Sequence, residues 1–265
     1  MTFAPHSRGI FFSLLVLHLS VLASGEQIPV KFPQGSIHAF MVLRSEEGKA
    51  IGVGDWDQKL HSGQLSSHLK FRFDDGSIYE DTTTFTQKGV FRVLSDHLLE
   101  SGPTFKDTME VWTDCRSGQV KVRQSKDGKD KDKVTTQHLN IPADVANGIL
   151  SILLANLADG AKHTLSMVVA APKPRIVKLV VSPQSEDEFS IQKTQYKAKT
   201  YLVHIDIGGV AGAVAPLVGK QPQDTRVWVL KADVPIFLRS VGPLSAGAPV
   251  IQIDLAGPTW PESAK

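Results

Sequence analysis

Four carboxylates crowd one short stretch of the chain: Asp74, Asp75, Glu80 and Asp81. Paired carboxylates at close range are the machinery of glycoside hydrolysis. Here, however, Asp75-Gly76 is a turn dipeptide, and its neighbours fall on the flanking strands. Turn chemistry and solvated strand faces account for all four. His204 and Asp206 stand two residues apart on a predicted strand and project from the same face. Two groups do not make a site, and a surface pair across strands explains them. His61 and His68 are the next nearest candidates for a shared metal. The seven histidines beyond residue 25 are otherwise scattered singly, whereas zinc sites show paired ligands at close helical or hairpin spacing. We expect neither a metal nor a cofactor.

Other reactive patterns fail on spacing. Gly212 to Lys220 ends like a phosphate-binding loop, but six residues separate its glycines rather than four, and Gln221 replaces the magnesium-binding hydroxyl. No Gly-x-Ser-x-Gly elbow presents a serine nucleophile. The lone Cys115 has no internal partner for a disulfide. It follows Trp112-Thr113-Asp114 and precedes a turn at Ser117-Gly118, the setting of a structural thiol at a strand end. No catalytic residue is assigned, and a hydrolase built from scattered His and Asp ranks third among the functional readings.

The elements that position these groups are overwhelmingly strands. Leu65 to Phe73 alternates Leu69, Phe71 and Phe73 with His68, Lys70 and Arg72, the period of a half-buried strand. Turn signals at Asp75-Gly76, Lys88-Gly89, Ser101-Gly102-Pro103, Gly118 and Asp127-Gly128 divide the region up to Leu139 into a meander of about six strands. Lys126 to Lys133 balances opposite charges across a solvated hairpin tip. Strands resume as His163 to Ala170, Arg175 to Ser182, Glu188 to Lys193, Thr200 to Ile207, Arg226 to Leu230, Pro235 to Ser240 and Pro249 to Leu255. Pro172, Pro174 and Pro183 are placed at strand ends, where a missing amide is tolerated.

One segment breaks the pattern. Asn140 to Asp159 predicts a helix, with Asn140 as cap, Pro142 in the first turn, Asp144 at the positive end and Gly160 as the stop. Val145, Ile149, Ile152, Leu153 and Leu157 share one face, and Leu150 and Leu154 widen it. So broad an apolar surface needs cover from a sheet. The predicted fold is therefore mainly β with one central helix, an antiparallel curved sheet or half-barrel wrapped on helix 140–159. The five residues of that face are the candidate ligand-binding set. Trp56, Tyr79, Phe85, Trp112 and Trp228 are either core or pocket lining. Gly208 to Lys220, small and apolar, reads as a short helix or a buried loop.

The first residues predict export. Arg8 precedes the apolar run Ile10 to Leu22, and Ala23, Ser24 and Gly25 follow, the pattern of a signal peptide cut after Ala23 or Gly25. Removing residues 1–25 takes away Arg8 and no acid, lowering the formal charge from +2 to +1. A near-neutral chain has no electrostatic reason to bind nucleic acid. Residues 26–265 then form a single β-rich domain in the periplasm or outside the cell, with no stable membrane span.

Phe73 to Trp112 (FDDGSIYEDTTTFTQKGVFRVLSDHLLESGPTFKDTMEVW) and Gly208 to Leu244 (GGVAGAVAPLVGKQPQDTRVWVLKADVPIFLRSVGPL) resemble a family of exported bacterial β-rich proteins of unknown function. The order of strands, helix and strands is also similar to the periplasmic lipoprotein-carrier half-barrels of the LolA/LolB type. That resemblance implies a curved sheet around an apolar cavity closed by helices. Two expectations follow: a non-enzymatic envelope protein holding a lipid or acyl chain between sheet and helix, or an envelope assembly factor working through protein contacts.

Overall fold

The structure is a computed structural model that describes residues 26–105, 107–125, 132–170, 173–191, 193–208, 221–245 and 247–259. The predicted signal peptide, the tip at 126–131 and nearly all of Gly208 to Lys220 lie outside these residues.

Among the described residues fifteen strands form one antiparallel sheet around a short helix. The first eight are a continuous meander: β1 (Ile37–Arg44), β2 (Ala50–His61), β3 (Gln64–Phe73), β4 (Ile78–Lys88), β5 (Val90–Ser101), β6 (Thr108–Asp114), β7 (Gln119–Ser125) and β8 (Lys133–His138). After helix α1 (Leu150–Asn156) come β9 (His163–Val169), β10 (Arg175–Ile191), β11 (Thr194–Asp206), β12 (Thr225–Leu230), β13 (Phe237–Pro243), β14 (Val250–Leu255) and β15 (Pro258–Thr259). The two meanders are joined where β1 pairs with β14, Met41 opposite Leu255 and Arg44 opposite Gln252. Among the described residues β8 pairs only with β7, and β9 only with β10. The sheet thus curls around its contents without closing into a barrel.

Period-two alternation turns one face inward. Leu65, Phe71 and Phe73 of β3, Phe85 of β4 and Leu179 and Val181 of β10 are buried in one main core. That core also takes in Val145, Ile149, Ile152, Leu153, Leu154 and Leu157. Trp228 points the other way from Val227 and Val229 and forms a smaller outer cluster with Phe189, Ala198 and Leu238. Beside it Arg239 Nε donates to Asp254 at 2.6 Å, and Arg44 Nε reaches the other oxygen at 3.2 Å.

The strand prediction holds, with particular corrections. β1 and β2 add to the six strands expected before Leu139. Arg175 to Ser182 and Glu188 to Lys193 are one strand, β10, rather than two. Pro183 lies inside it, at a register shift between Pro183 and Glu186. Among the described residues the second edge of β10 has no strand partner between Val181 and Ser190, and an irregular, half-paired stretch of this kind tolerates a proline.

The helix needs a larger correction. Of Asn140 to Asp159, only Leu150–Asn156 is helical, Ile149 stands at its start, and no side chain caps it. Gly148 takes φ +65°, a left-handed conformation that an α-helix cannot contain. The residues before it pair instead with the free edge of β9. Ala146 N donates to Ser166 O at 2.8 Å, and the Asn147 amide exchanges two hydrogen bonds with the Val168 backbone. Asp144 accepts from Ser166 Oγ rather than meeting a helix end. Backbone partners offered by β9 outcompete a helix that Asn147 and Gly148 already weaken. The chain also leaves the helix earlier than Gly160, at Leu157. Asn156 holds that end: its Oδ1 accepts from Lys31 N and Phe32 N of the N-terminal strap.

Candidate functional site

The interior wall carries one feature that pure core packing would avoid. Gln58, Ser67, Thr83, Asp96 and Thr113 are directly paired neighbours on β2 to β6, and all are at least nine-tenths buried. Asp81 and Glu100 sit on the adjoining rows of the same inner face. Thr83 Oγ1 is the hub, 3.1 Å from Asp81 Oδ1 and 2.9 Å from Asp96 Oδ1. Burial pushes both carboxyls above the usual carboxylate range, and their mutual repulsion raises Asp81 further. One proton shared between two adjacent acids satisfies such a pair. Glu100 is pushed up to about 7 by burial. The same acids raise the ring hydroxyl of Tyr79, after burial itself.

Gly148 closes over this row. A methyl group there would lie 1.6 Å from Thr83 Oγ1 and 3.0 Å from Asp96 Oδ1. Segment 144–148 is therefore a plug, held to β9 on one side and laid against β4 and β5 on the other. Asp96 is screened by it, whereas Asp81 is not.

Two neighbouring cavities lie beside the plug and the helix. The larger, about 410 Å³, is lined by Ile152 and Ala155 of α1, by Phe40 of β1 and by Ile236 and Phe237 at the start of β13. The smaller, about 230 Å³, is lined by Asp81, Gly148, Ser67 and Tyr79 among mainly apolar residues. Trp56, Ser151 and Phe237 line both. Trp56 Nε1 donates to Ser67 Oγ at 2.8 Å, fixing the indole at the junction.

The larger cavity owes its mouth to the seam between the meanders. β14 covers β1 only from Met41 to Arg44, and the last bond is Ala256 N to Phe40 O. Ile37 to Ala39 are left beside the loop Pro235–Phe237 with no strand between them. Apolar side chains stand exposed at the rim: Phe40 is 60% exposed and Ile236 39%.

The predicted ligand face divides. Ile152 lines the larger cavity. Val145, Ile149, Leu153 and Leu157 are buried in the main core and line neither of the two cavities. Of the five aromatic candidates, Trp56 and Tyr79 reach a cavity. Phe85 is core, Trp228 belongs to the outer cluster, and Trp112 stacks on His97 at 5.2 Å with Lys121 over its ring.

The motif residues scatter. His204 Nδ1 pairs with Asp224 at 2.7 Å on the surface, while Asp206 accepts from Gly208 N. His68 and Lys70 share Glu80, and Asp75 accepts from Ser77 N within its turn and from Thr104 Oγ1 of the segment before β6. Asp81, expected on a solvated face, is instead the inward member of that group. Its parity with Tyr79 and Phe85 in Tyr79-Glu80-Asp81-Thr82-Thr83-Thr84-Phe85 is the signal that places it inside. No cluster of three metal-binding side chains occurs among the described residues, and no described helix is long and apolar enough to cross a membrane.

No protein-family profile matches the chain, and no curated protein matches it. Among solved structures it is similar to the crystal structure of a β-barrel-like protein of a domain of unknown function, DUF1849, from Brucella abortus. The likeness covers 90% of this chain and 100% of that one, at 11% identity and a TM-score of 0.41.

Proposed function

We propose that the chain is an exported, non-enzymatic binding protein that holds an alkyl or acyl chain in the groove between α1 and the β1–β14 seam. The observation that carries this reading is the larger cavity. Its volume of about 410 Å³ lies within the roughly 300–1,000 Å³ of small-molecule sites. Its walls are dominated by Ile152, Ala155, Trp56 and Phe237, and its mouth exposes Phe40 and Ile236 to incoming ligand. An apolar guest would gain about 25 cal/mol for each Å² it removes from water there. Hydrolysis is disfavoured by the arrangement of the acids. An aspartic dyad must present both carboxyls to substrate, yet Asp96 lies behind Thr83 and Gly148. Export is supported by the Ile10 to Leu22 run and the small residues after it, and by the resemblance to envelope carriers.

The test is occupancy. Native mass spectrometry of protein recovered from a bacterial periplasm should show a bound apolar molecule, released on delipidation, and a mature N-terminus near residue 24 or 26. Ser151 lines both cavities, so Ser151→Phe fills them and should abolish uptake of a fluorescent undecanoyl reporter while leaving the urea midpoint near that of the parent. Uptake undiminished in Ser151→Phe would overturn the assignment of the groove.

A further inference from the structure

The smaller cavity differs from the larger in having an ionisable wall without a counter-ion. Asp81 lines it, Ser67, Tyr79, Thr225 and Ser240 add polar atoms, and no Lys, Arg or His contributes to it. Asp96 and Glu100 stand beside Asp81 on the neighbouring strand. Glu100 is 3% exposed, and one of its carboxyl oxygens has no hydrogen-bond partner among the described residues. The neighbouring base His97 lies on the opposite face of β5, where its ring meets Glu110 at 2.9 Å. Buried acids are normally paired with a cation or neutralised by a proton. Here three of them face inward, Asp81 onto open space, and the described ion pairs engage none of them.

We propose that the smaller cavity receives the ammonium head of a single-chain amphiphile, a long-chain primary amine or aminolipid. The head sits on Asp81, and the hydrocarbon runs past Trp56 and Phe237 into the larger cavity. The assignment rests on the reading of that cavity as an alkyl site. An ammonium group brings three donors and the positive charge the wall lacks, matched by the Asp81 carboxyl, Ser67 Oγ and the Ser240 hydroxyl. A carboxylate or phosphate head would add an anion to a wall already acidic, and its desolvation would go uncompensated. Asp96 acts through Asp81: the two share a proton through Thr83, and an ammonium seated on Asp81 favours the form in which Asp96, covered by Gly148, holds that proton and Asp81 carries the charge.

Isothermal titration at pH 8 with dodecylamine, dodecanol and dodecanoate, each below its micelle or solubility limit, decides the matter. The three share a chain and differ only in the head. Dodecylamine should bind at least about tenfold more tightly than dodecanol, as a charge-assisted hydrogen bond requires, with dodecanoate weakest. Asp81→Asn should bring the amine close to the alcohol and leave the alcohol unchanged. Dodecanol binding as tightly as dodecylamine, or an amine preference that survives Asp81→Asn, would overturn the head-group assignment and leave the alkyl site standing. Binding of none of the three would overturn both. The ranking on the unaltered protein settles the question even if Asp81→Asn does not fold.

Discussion

Gly148→Ala tests whether the plug at 144–148 is a fixed part of the wall. Two separate penalties act at this position. The residue adopts φ +65°, which costs an alanine about 1 kcal/mol. Its new methyl group would also lie 1.6 Å from Thr83 Oγ1, a contact no real pair of atoms can keep. Thr83 must turn away, surrendering its bonds to Asp81 and Asp96, or the plug must lift from β9 and lose the Asn147–Val168 bonds. Either route forfeits two partly or fully buried hydrogen bonds, about 2 kcal/mol. The expected loss is about 3 kcal/mol, read from the midpoint of urea unfolding with an unchanged slope. Gly160→Ala is the control: Gly160 has φ +76° but nothing within 4 Å of a new Cβ, so only about 1 kcal/mol should go. Thr83→Ala removes the clashing oxygen, and in that background Gly148→Ala should cost markedly less. Equal losses for Gly148→Ala and Gly160→Ala would refute the plug.

Three further outcomes follow from the same geometry. Glu100 rises from 4.5 to about 7 on folding, so the folded state holds its proton more tightly than the unfolded chain. Its contribution to stability should be full below pH 4.5 and be lost between pH 4.5 and 7, by roughly 3 kcal/mol at about 1.4 kcal/mol per pH unit, with Glu100→Gln flattening the profile. Asp81 and Asp96 are shifted in the same direction and add to the slope. Asp254→Ala removes the carboxylate that Arg239 and Arg44 both meet, with Arg239 almost fully buried, and should cost about 3–5 kcal/mol by calorimetry or urea titration. Cys115, pushed up to about 12 by burial and the nearby Asp96 and Asp114, should resist iodoacetamide at pH 8 when native and react once unfolded. Rapid native labelling would contradict its placement.

The architecture was legible because alternation and Gly-containing turns are local signals. Lys88-Gly89 and Asp75-Gly76 turn where their dipeptides say, with positive φ at both glycines. β2 was hidden, because Gly52 and Gly54 interrupt its apolar pattern. Gly52 is required there by the Arg72 carbonyl, 2.4 Å from where a Cβ would stand, and Gly54 makes room for the Phe71 ring. The helix was overextended because its competitor, the edge of β9, lies beyond any local window. The candidate site was half legible. Asp81 shares the parity of Tyr79 and Phe85, but the register shift between Thr84 and Phe85 sets Val93 and Asp96 on the same face three residues apart, which alternation forbids. Nothing local reveals that β14 stops short of Ile37 and leaves the mouth open.

The seam between β1 and β14 also governs how the molecule is made. Met41 and Leu255 come from opposite ends of the chain, yet their strands lie in the middle of the sheet. Each meander can assemble from neighbouring hairpins, but the central ladder waits until the last strands have been synthesised. Until then β1 offers a bare edge of amides and carbonyls to any passing strand. Such distant pairing makes the final docking step slow. The nascent chain is thus most vulnerable to aggregation at the place where the finished protein opens, and a chaperone shielding residues 37–44 would protect it best.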